Sequence, residues 1–457
     1  MLLVFIPVAL IIIFILVPIP RIGGEVRIAL LIGALSAAIL GRLAPGEIIV
    51  AAVNGIDMLA WVIGLAVFGS IYAQTQIRIG TMDTVLNSFR SLFGRTPKGL
   101  IAAVILTLVL AGSLLGDAIA AATVIGVLVV LALHELEMTP EQIGATILLG
   151  GIIGSIMPPI TQAIFLSSAL VGLEDPTSVV NIGYITVGIG VILAILLCSF
   201  FVKIKTLPEH LIPERKVTRI IRDEWKRLLP LAVLVIMVVV RSVPTEIPVL
   251  FDAVMLIDRA FGAVFGGIPI LGGIAFRVTQ AIIVAIIISF FFSSVRSNSL
   301  VTIKDGLKSV SKTAQIQVCA GIMVGMFYAA GLIDRVVELA EGLSAGAITL
   351  GGAASLTVLG MLTGSQTTAQ NTIVPLMGPI LTETFGISLT GAALGASHIA
   401  AGGQTFPPVC LTAFVVVGVV GGIINKPVDP VKVMILALPV TIYFIVVGIF
   451  AWFGYIG

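Results

Sequence analysis

The chain has 457 residues, 58% apolar and only 11% charged, against about 25% charged in soluble domains. Its 25 basic and 23 acidic residues leave a net charge of +2, too few charges to solvate a globule of this size and no basic face for nucleic acid. The apolar residues fall in runs of about 18–25, enough for a hydrocarbon core of about 30 Å, so the chain reads as an all-α polytopic membrane protein.

In chain order, Met1–Pro20 carries no charge before Arg21 and is followed by no A-x-A site, so a retained first span is expected rather than a cleaved signal. Uninterrupted spans follow the apolar runs at 2–20, 26–41 and 56–77, then 179–203, 228–243, 272–293, 314–331 and 433–453. Two stretches, 99–172 and 344–422, are apolar but repeatedly broken by Gly, Ser, Asn and Pro. The linker that carries Lys203, Lys205, Arg215, Lys216, Arg219, Arg222, Lys226 and Arg227 is cytoplasmic by the positive-inside rule. The basic loops 78–98, 296–312 and 425–432 fall on the same side, and the acidic stretch with Glu246, Asp252 and Asp258 on the other, where 249–267 suits an interfacial helix. Asn54 and Asp57 read as a helix start, and Gln74–Gln76 as an interfacial end.

The two broken stretches resemble each other. Without gaps, an offset of 249 pairs Ala120 with Ala369, Thr123 with Thr372, Gly154 with Gly403, Pro158-Pro159 with Pro407-Pro408, Phe165 with Phe414 and Gly172 with Gly421. If 99–134 and 348–383 are re-entrant hairpins and 141–172 and 390–422 are broken single spans, each half crosses an odd number of times. The halves are then inverted repeats, the mark of a secondary transporter, with about 10 transmembrane helices plus the two hairpins. The chain divides into first scaffold spans (1–98), a first hairpin, broken helix and closing span (99–203), the linker (204–227), second scaffold spans (228–343) and a second hairpin unit (344–457).

Bare backbone cannot face lipid, so four broken segments must line an enclosed cavity. Their carbonyls and hydroxyls suit a sodium ion, and each break presents a helix N-terminus that suits a carboxylate. One ion site is expected where Gly112, Ser113, Gly116 and Asp117 meet Gly154, Ser155 and Pro158. The second pairs Gly364, Ser365 and Thr367 with Gly402, Gly403 and Pro407. Substrate is expected between them, against Thr123, Pro159, Thr161 and Gln162 from the first half. The second half would add Gln366, Asn371, Thr372, His398, Gln404, Thr405 and Pro408. Asp117 suits a cation ligand, a proton carrier or a cap for the helix beginning at Ala118. His398 suits either a packing histidine or a substrate or proton contact. Cys198, Cys319 and Cys410 show no metal spacing, and HExxH, GxSxG and nucleotide-loop patterns are missing, so neither cofactor nor enzymatic activity is expected.

Residues 112–161, the QNTIVPLMGPIL run at 370–381 and the segment from Thr405 through Val415 resemble the large membrane subunit of tripartite ATP-independent periplasmic transporters. The resemblance implies an elevator-type fold, with a separate small membrane subunit of about four spans, a periplasmic solute-binding protein and an inner-membrane location. It also implies sodium-driven import of organic acids such as dicarboxylates or sialic acid, with ion sites at the tip and break segments named above. The family's first tip is rich in Ser and Gly; Asp117 departs from that habit, which leaves a proton as the alternative coupling ion. The runner-up is a stand-alone ion-coupled carrier of gluconate, citrate or dicarboxylate type.

Overall fold

A computed structural model describes residues 2–16, 25–242, 248–340 and 344–457. The end of the first expected span, Arg21 and Glu246 lie outside the described residues, as does the side chain of Asp252. Among the described residues every regular element is helical.

The segment expected as the first scaffold, and called by that name, comprises α1 (Leu2–Leu16), α2 (Val26–Leu40), α3 (Pro45–Met58), α4 (Ala60–Ile79) and α5 (Thr81–Phe93). The span expected at 56–77 is two helices joined at Leu59. Pro45, which needs no amide partner in a first turn, starts α3, and the Glu47 carboxylate accepts from Ala44 N (2.7 Å). Asn54 and Asp57 therefore stand in the last turns of α3, not at a helix start, and Asp57 accepts from Ile270 N (2.6 Å). The basic stretch 78–98 is mostly α5, an amphipathic helix whose polar face escapes a reading by hydropathy. Thr75 and Gln76 are buried rather than interfacial: Gln76 Nε2 donates to Ser289 Oγ (3.1 Å) and its Oε1 accepts from Thr81 (2.9 Å).

The first hairpin unit follows: α6 (Pro97–Leu115), α7 (Ala118–His134), α8 (Pro140–Ile156), α9 (Gln162–Leu170) and α10 (Thr177–Ser199). The second scaffold holds α11 (Val217–Ser242), α12 (Pro248–Phe265), α13 (Arg277–Ser289), α14 (Ser293–Arg296), α15 (Ser299–Ala329) and α16 (Leu332–Ala340). The basic segments expected as loops are thus largely helix: 217–227 opens α11, supported by the Arg219–Asp223 and Arg227–Glu224 pairs one turn apart (3.7 and 3.1 Å), and 299–312 opens α15. The second hairpin unit repeats the first: α17 (Ala345–Thr363), α18 (Gln366–Pro379) running into a π turn (Ile380–Thr384), α19 (Leu389–Gly403), α20 (Leu411–Ile424) and α21 (Pro430–Trp452).

Among the described residues five helices (α4, α6, α10, α17 and α21) are long and apolar enough to cross a membrane singly; α15 and α16, bent by 70°, make a sixth if taken together. The pairs α8/α9 and α19/α20 fall short helix by helix because each is interrupted. The halves interlock: α9 packs on α18 and α19, and α20 packs on α7 and α8. Phe165 of α9 meets the scaffold in a ring cluster, 5.8 Å from Trp61 and 5.5 Å from Phe276. Its repeat mate, Phe414 of α20, is 43% exposed.

The scaffold seam is α3 against α15. Gly321 and Gly325, spaced as a G-x-x-x-G motif, bring the two backbones into contact, and a Cβ on Gly55 would lie 2.0 Å from Gly321 O. Gly55→Val is therefore expected to lower thermal stability in detergent by about 1–3 kcal/mol. Gly188→Ala, where a Cβ meets nothing within 4 Å, is expected to be neutral or slightly stabilising in the same assay.

Candidate ion and substrate site

Each hairpin turns on a glycine in the left-handed region followed by an N-cap. At the first tip Gly116 (φ 66°) ends α6, and Asp117 caps α7 by accepting from Ile119 N (3.0 Å) and Ala120 N (3.4 Å). At the second tip Gly364 (φ 62°) ends α17, and Ser365 Oγ accepts from Thr368 N (3.3 Å) and its hydroxyl (3.1 Å). Asp117 and Ser365 hold equivalent places and do the same local work, so the capping alternative for Asp117 is visible in its geometry.

The equivalence corrects the offset. The tips are related by 248 residues (116 with 364, 117 with 365), whereas the caps of the next helices, Thr139 and Ser388, and the two Pro-Pro pairs are related by 249. Between tip and cap the second copy has one more residue, and there the chain passes through the π turn, the usual form of a one-residue insertion in a helix. Thr123 therefore corresponds to Asn371, and not to Thr372.

Both broken helices stop where backbones touch. A Cβ on Gly112 would lie 2.7 Å from Gly154 Cα, and one on Gly360 would lie 2.9 Å from the Gly403 carbonyl carbon. The breaks carry Pro158-Pro159 and Pro407-Pro408, each joined by a cis peptide bond. In the first, Thr161 Oγ1 donates to Ser155 O (3.1 Å) and accepts from Ile164 N (3.3 Å), closing the gap and capping α9. In the second, Cys410 makes no side-chain cap, so α20 presents its first amides uncapped. Each tip leans on its own break: Gly116 lies against the Gln162 side chain, and Gly364 against Val409–Leu411.

Gln366 joins the halves. Its backbone N–H donates to Gln404 Oε1 (3.2 Å) in the second break, while its side-chain Nε2 donates to Ser155 Oγ (3.1 Å) in the first. Around it, Ser113 Oγ, Gln366 Oε1, Gln404 Nε2 and both amide ends of Gln370 and Asn371 have no hydrogen-bond partner among the described residues. Gln370 and Asn371 are fully buried. A buried polar atom without a partner costs about 1–3 kcal/mol, so this concentration along one hairpin arm points to ligand-facing positions.

The other expected site residues divide by location. Thr367 is half-buried on the second tip, while Thr372 and Thr405 donate to carbonyls one turn earlier, Thr368 O (2.8 Å) and Ala401 O (3.1 Å). Thr123 is exposed and bonds Ile119 O (2.7 Å). Pro159 lines an opening with Phe165 and Arg277, and Pro408 is exposed. Gly402 faces Thr441 and Ile445 of α21, away from its tip. His398 is also elsewhere, between α10, α19 and α21: Nδ1 donates to Leu394 O (3.0 Å), Nε2 accepts from Thr186 Oγ1 (2.9 Å), and Phe444 packs at 5.7 Å. That is the packing alternative. Gly360 and Gln370 were not among the expected site residues; the signal for Gly360 is the G-x-x-x-G spacing shared by 112/116 and 360/364. Among the described residues no group of three or more His, Cys, Asp or Glu could hold a metal, and apart from the Asp117 carboxylate the oxygens at the tips are neutral carbonyls, hydroxyls and amides.

Two hairpin-and-broken-helix units, each with its tip against its own break and packed on the other unit, make the arrangement that keeps broken helices out of contact with lipid. The sequence matches the family described as tripartite ATP-independent periplasmic transporter, DctM component, over residues 8–454, and the chain belongs to that family. No curated sequence matches it significantly. Its fold is similar to the YdaH transporter of Alcanivorax borkumensis, at 14% identity over 100% of this chain and 97% of that one (TM-score 0.55). It is likewise similar to MtrF of Neisseria gonorrhoeae, described within a class of antimetabolite efflux pumps, at 14% identity over 98% and 94% (TM-score 0.58). The chain is a multi-pass membrane component of a transporter.

Because Asp117 caps α7, Asp117→Ala is expected to lower stability by about 1 kcal/mol and Asp117→Ser by only a few tenths, read as thermal unfolding in detergent.

Proposed function

We propose that this chain is the large permease subunit of a sodium-coupled importer of organic acids, of C4-dicarboxylate or sialic-acid type, in the inner membrane. A periplasmic binding protein delivers the substrate, and a separate small membrane subunit of about four spans completes the complex. The two hairpin units form inverted repeats that move as one body against the scaffold, with the basic segments cytoplasmic. Family membership supports the tripartite assembly. The observation that carries the site is Gln366, which bonds Gln404 in one break and Ser155 in the other.

Sodium binds where each tip meets its break, on the carbonyls around Gly112–Asp117 with Gly154–Pro158 and around Gly364–Thr367 with Gly403–Pro407. Filling these places fixes the tips against the breaks and sets Gln366 between them. The substrate carboxylate then lies against the uncapped first amides of α20 and the donors of Asn371 and Gln404, since a helix N-terminus and amide N–H groups favour an anion. Asp117, whose carboxylate is exposed while it caps α7, adds a charge to the first site that the second lacks.

In proteoliposomes, uptake of labelled dicarboxylate or sialic acid is expected to require a sodium gradient, the small subunit and the binding protein together. Uptake by this chain alone would instead support the stand-alone carrier. Gln366→Ala is expected to lower the initial rate by about tenfold or more, the factor given by about 1.4 kcal/mol of lost interaction, at unchanged folded yield. Asp117→Asn, which can still cap, is expected to shift the sodium or pH dependence of uptake; an unchanged dependence would leave Asp117 as a cap alone.

A further inference from the structure

α11 and α13 part to leave a groove of about 670 Å³ lined by Trp225, Lys226, Leu229, Val233, Ile288 and Phe291. The lining is graded along α11. Lys226 and Trp225 stand in the charged first turns of the helix, and Leu229 and Val233 follow one and two turns deeper into its apolar part. Across the groove Ile288 and Phe291 come from the end of α13 and the turn after it, with Phe291 76% exposed. Trp225, 51% exposed, has the residue type and place of a membrane-interface anchor.

The charge here is not balanced. Residues 215–227 hold six basic and two acidic side chains. Arg215 and Arg227 share Glu224, and Arg219 and Arg222 share Asp223. Lys226, the one of these basic residues that lines the groove, makes no ion pair among the described residues. An apolar trough ending at a lysine and a tryptophan, at the boundary the positive-inside rule makes cytoplasmic, has the chemistry of an anionic lipid site.

We propose that this groove binds one anionic phospholipid of the cytoplasmic leaflet, with an acyl chain along Leu229, Val233 and Ile288 and the phosphate at Lys226. Its lining shares no residue with the candidate ion and substrate site, so the proposal stands whichever substrate is carried. A soluble ligand would not need the apolar depth, and a zwitterionic lipid, whose headgroup cation offsets its phosphate, would gain less from the lysine.

The test is native mass spectrometry of the intact chain in detergent with equal amounts of phosphatidylglycerol and phosphatidylcholine. One phosphatidylglycerol is expected to be retained with a preference of about fivefold or more, the factor that one lysine at an anionic surface contributes. Lys226→Gln is expected to remove that preference, and Val233→Trp, which fills the trough, to lower retention of both lipids. Lys226 is exposed, so its variant carries the test even if Val233→Trp fails to fold. Equal retention of the two lipids, or a preference unchanged in Lys226→Gln, overturns the proposal. It is also overturned if no lipid is retained and a co-expressed small subunit shields a Phe291→Cys variant from a maleimide, which would make the groove a protein interface.

Discussion

A helix that stops inside hydrocarbon leaves amides and carbonyls bare, each costing several kcal/mol, and the second half of every hairpin unit here answers that constraint. The breaks at 157–161 and 404–410 are bridged by Thr161, by the Gln404–Gln366 contact and by a hairpin tip brought close against each. Close approach needs glycine on both sides, so Gly112 meets Gly154 and Gly360 meets Gly403. The covering is mutual: α9 lies on the second unit and α20 on the first, so neither half can be built as it stands without the other.

The same constraint makes the site. Atoms that close a break are polar by necessity, and those left without protein partners gather at Ser113, Gln366, Gln370, Asn371 and Gln404. They are neutral oxygens and amides and not a cluster of charges, so none of them carries the desolvation cost of an unpaired carboxylate. The scaffold is held by other means, an interhelical Gly seam between α3 and α15 and buried hydrogen bonds among Thr75, Gln76, Thr81 and Ser289.

Much of this was legible from residue patterns, and the gaps have physical causes. Apolar run length placed α10 and α21 within three residues at their first ends, and Gly-x-x-x-Pro-Pro located both breaks. Hydropathy is blind to amphipathic helices, which is why α5 and the starts of α11 and α15 read as basic loops. It is blind as well to pairing, so Thr75 and Gln76 near the end of a run looked interfacial although Ser289 takes their polarity inside. An ungapped comparison cannot see a π turn, and one residue of slip rotates a helix by about 100°, enough to put Thr372 where Asn371 belongs. His398 sits in a span beside a break, yet only the fold brings Thr186 to its ring.

The ring cluster around Phe165 gives the duplicated fold unequal ends. Phe165 is held by Trp61 and Phe276 from the scaffold, while Phe414 in the equivalent place is 43% exposed. Each ring pair contributes about 0.5–1.5 kcal/mol beyond area burial, so separating α9 from both Trp61 of α4 and Phe276 before α13 would give up about 1–3 kcal/mol with no matching gain from Phe414 where it now stands. A difference of that size corresponds to a factor of about five to 150 in an equilibrium between clasped and unclasped arrangements. Two like halves thereby differ at one point, where three aromatic rings hold the first copy and leave the second free of such a clasp.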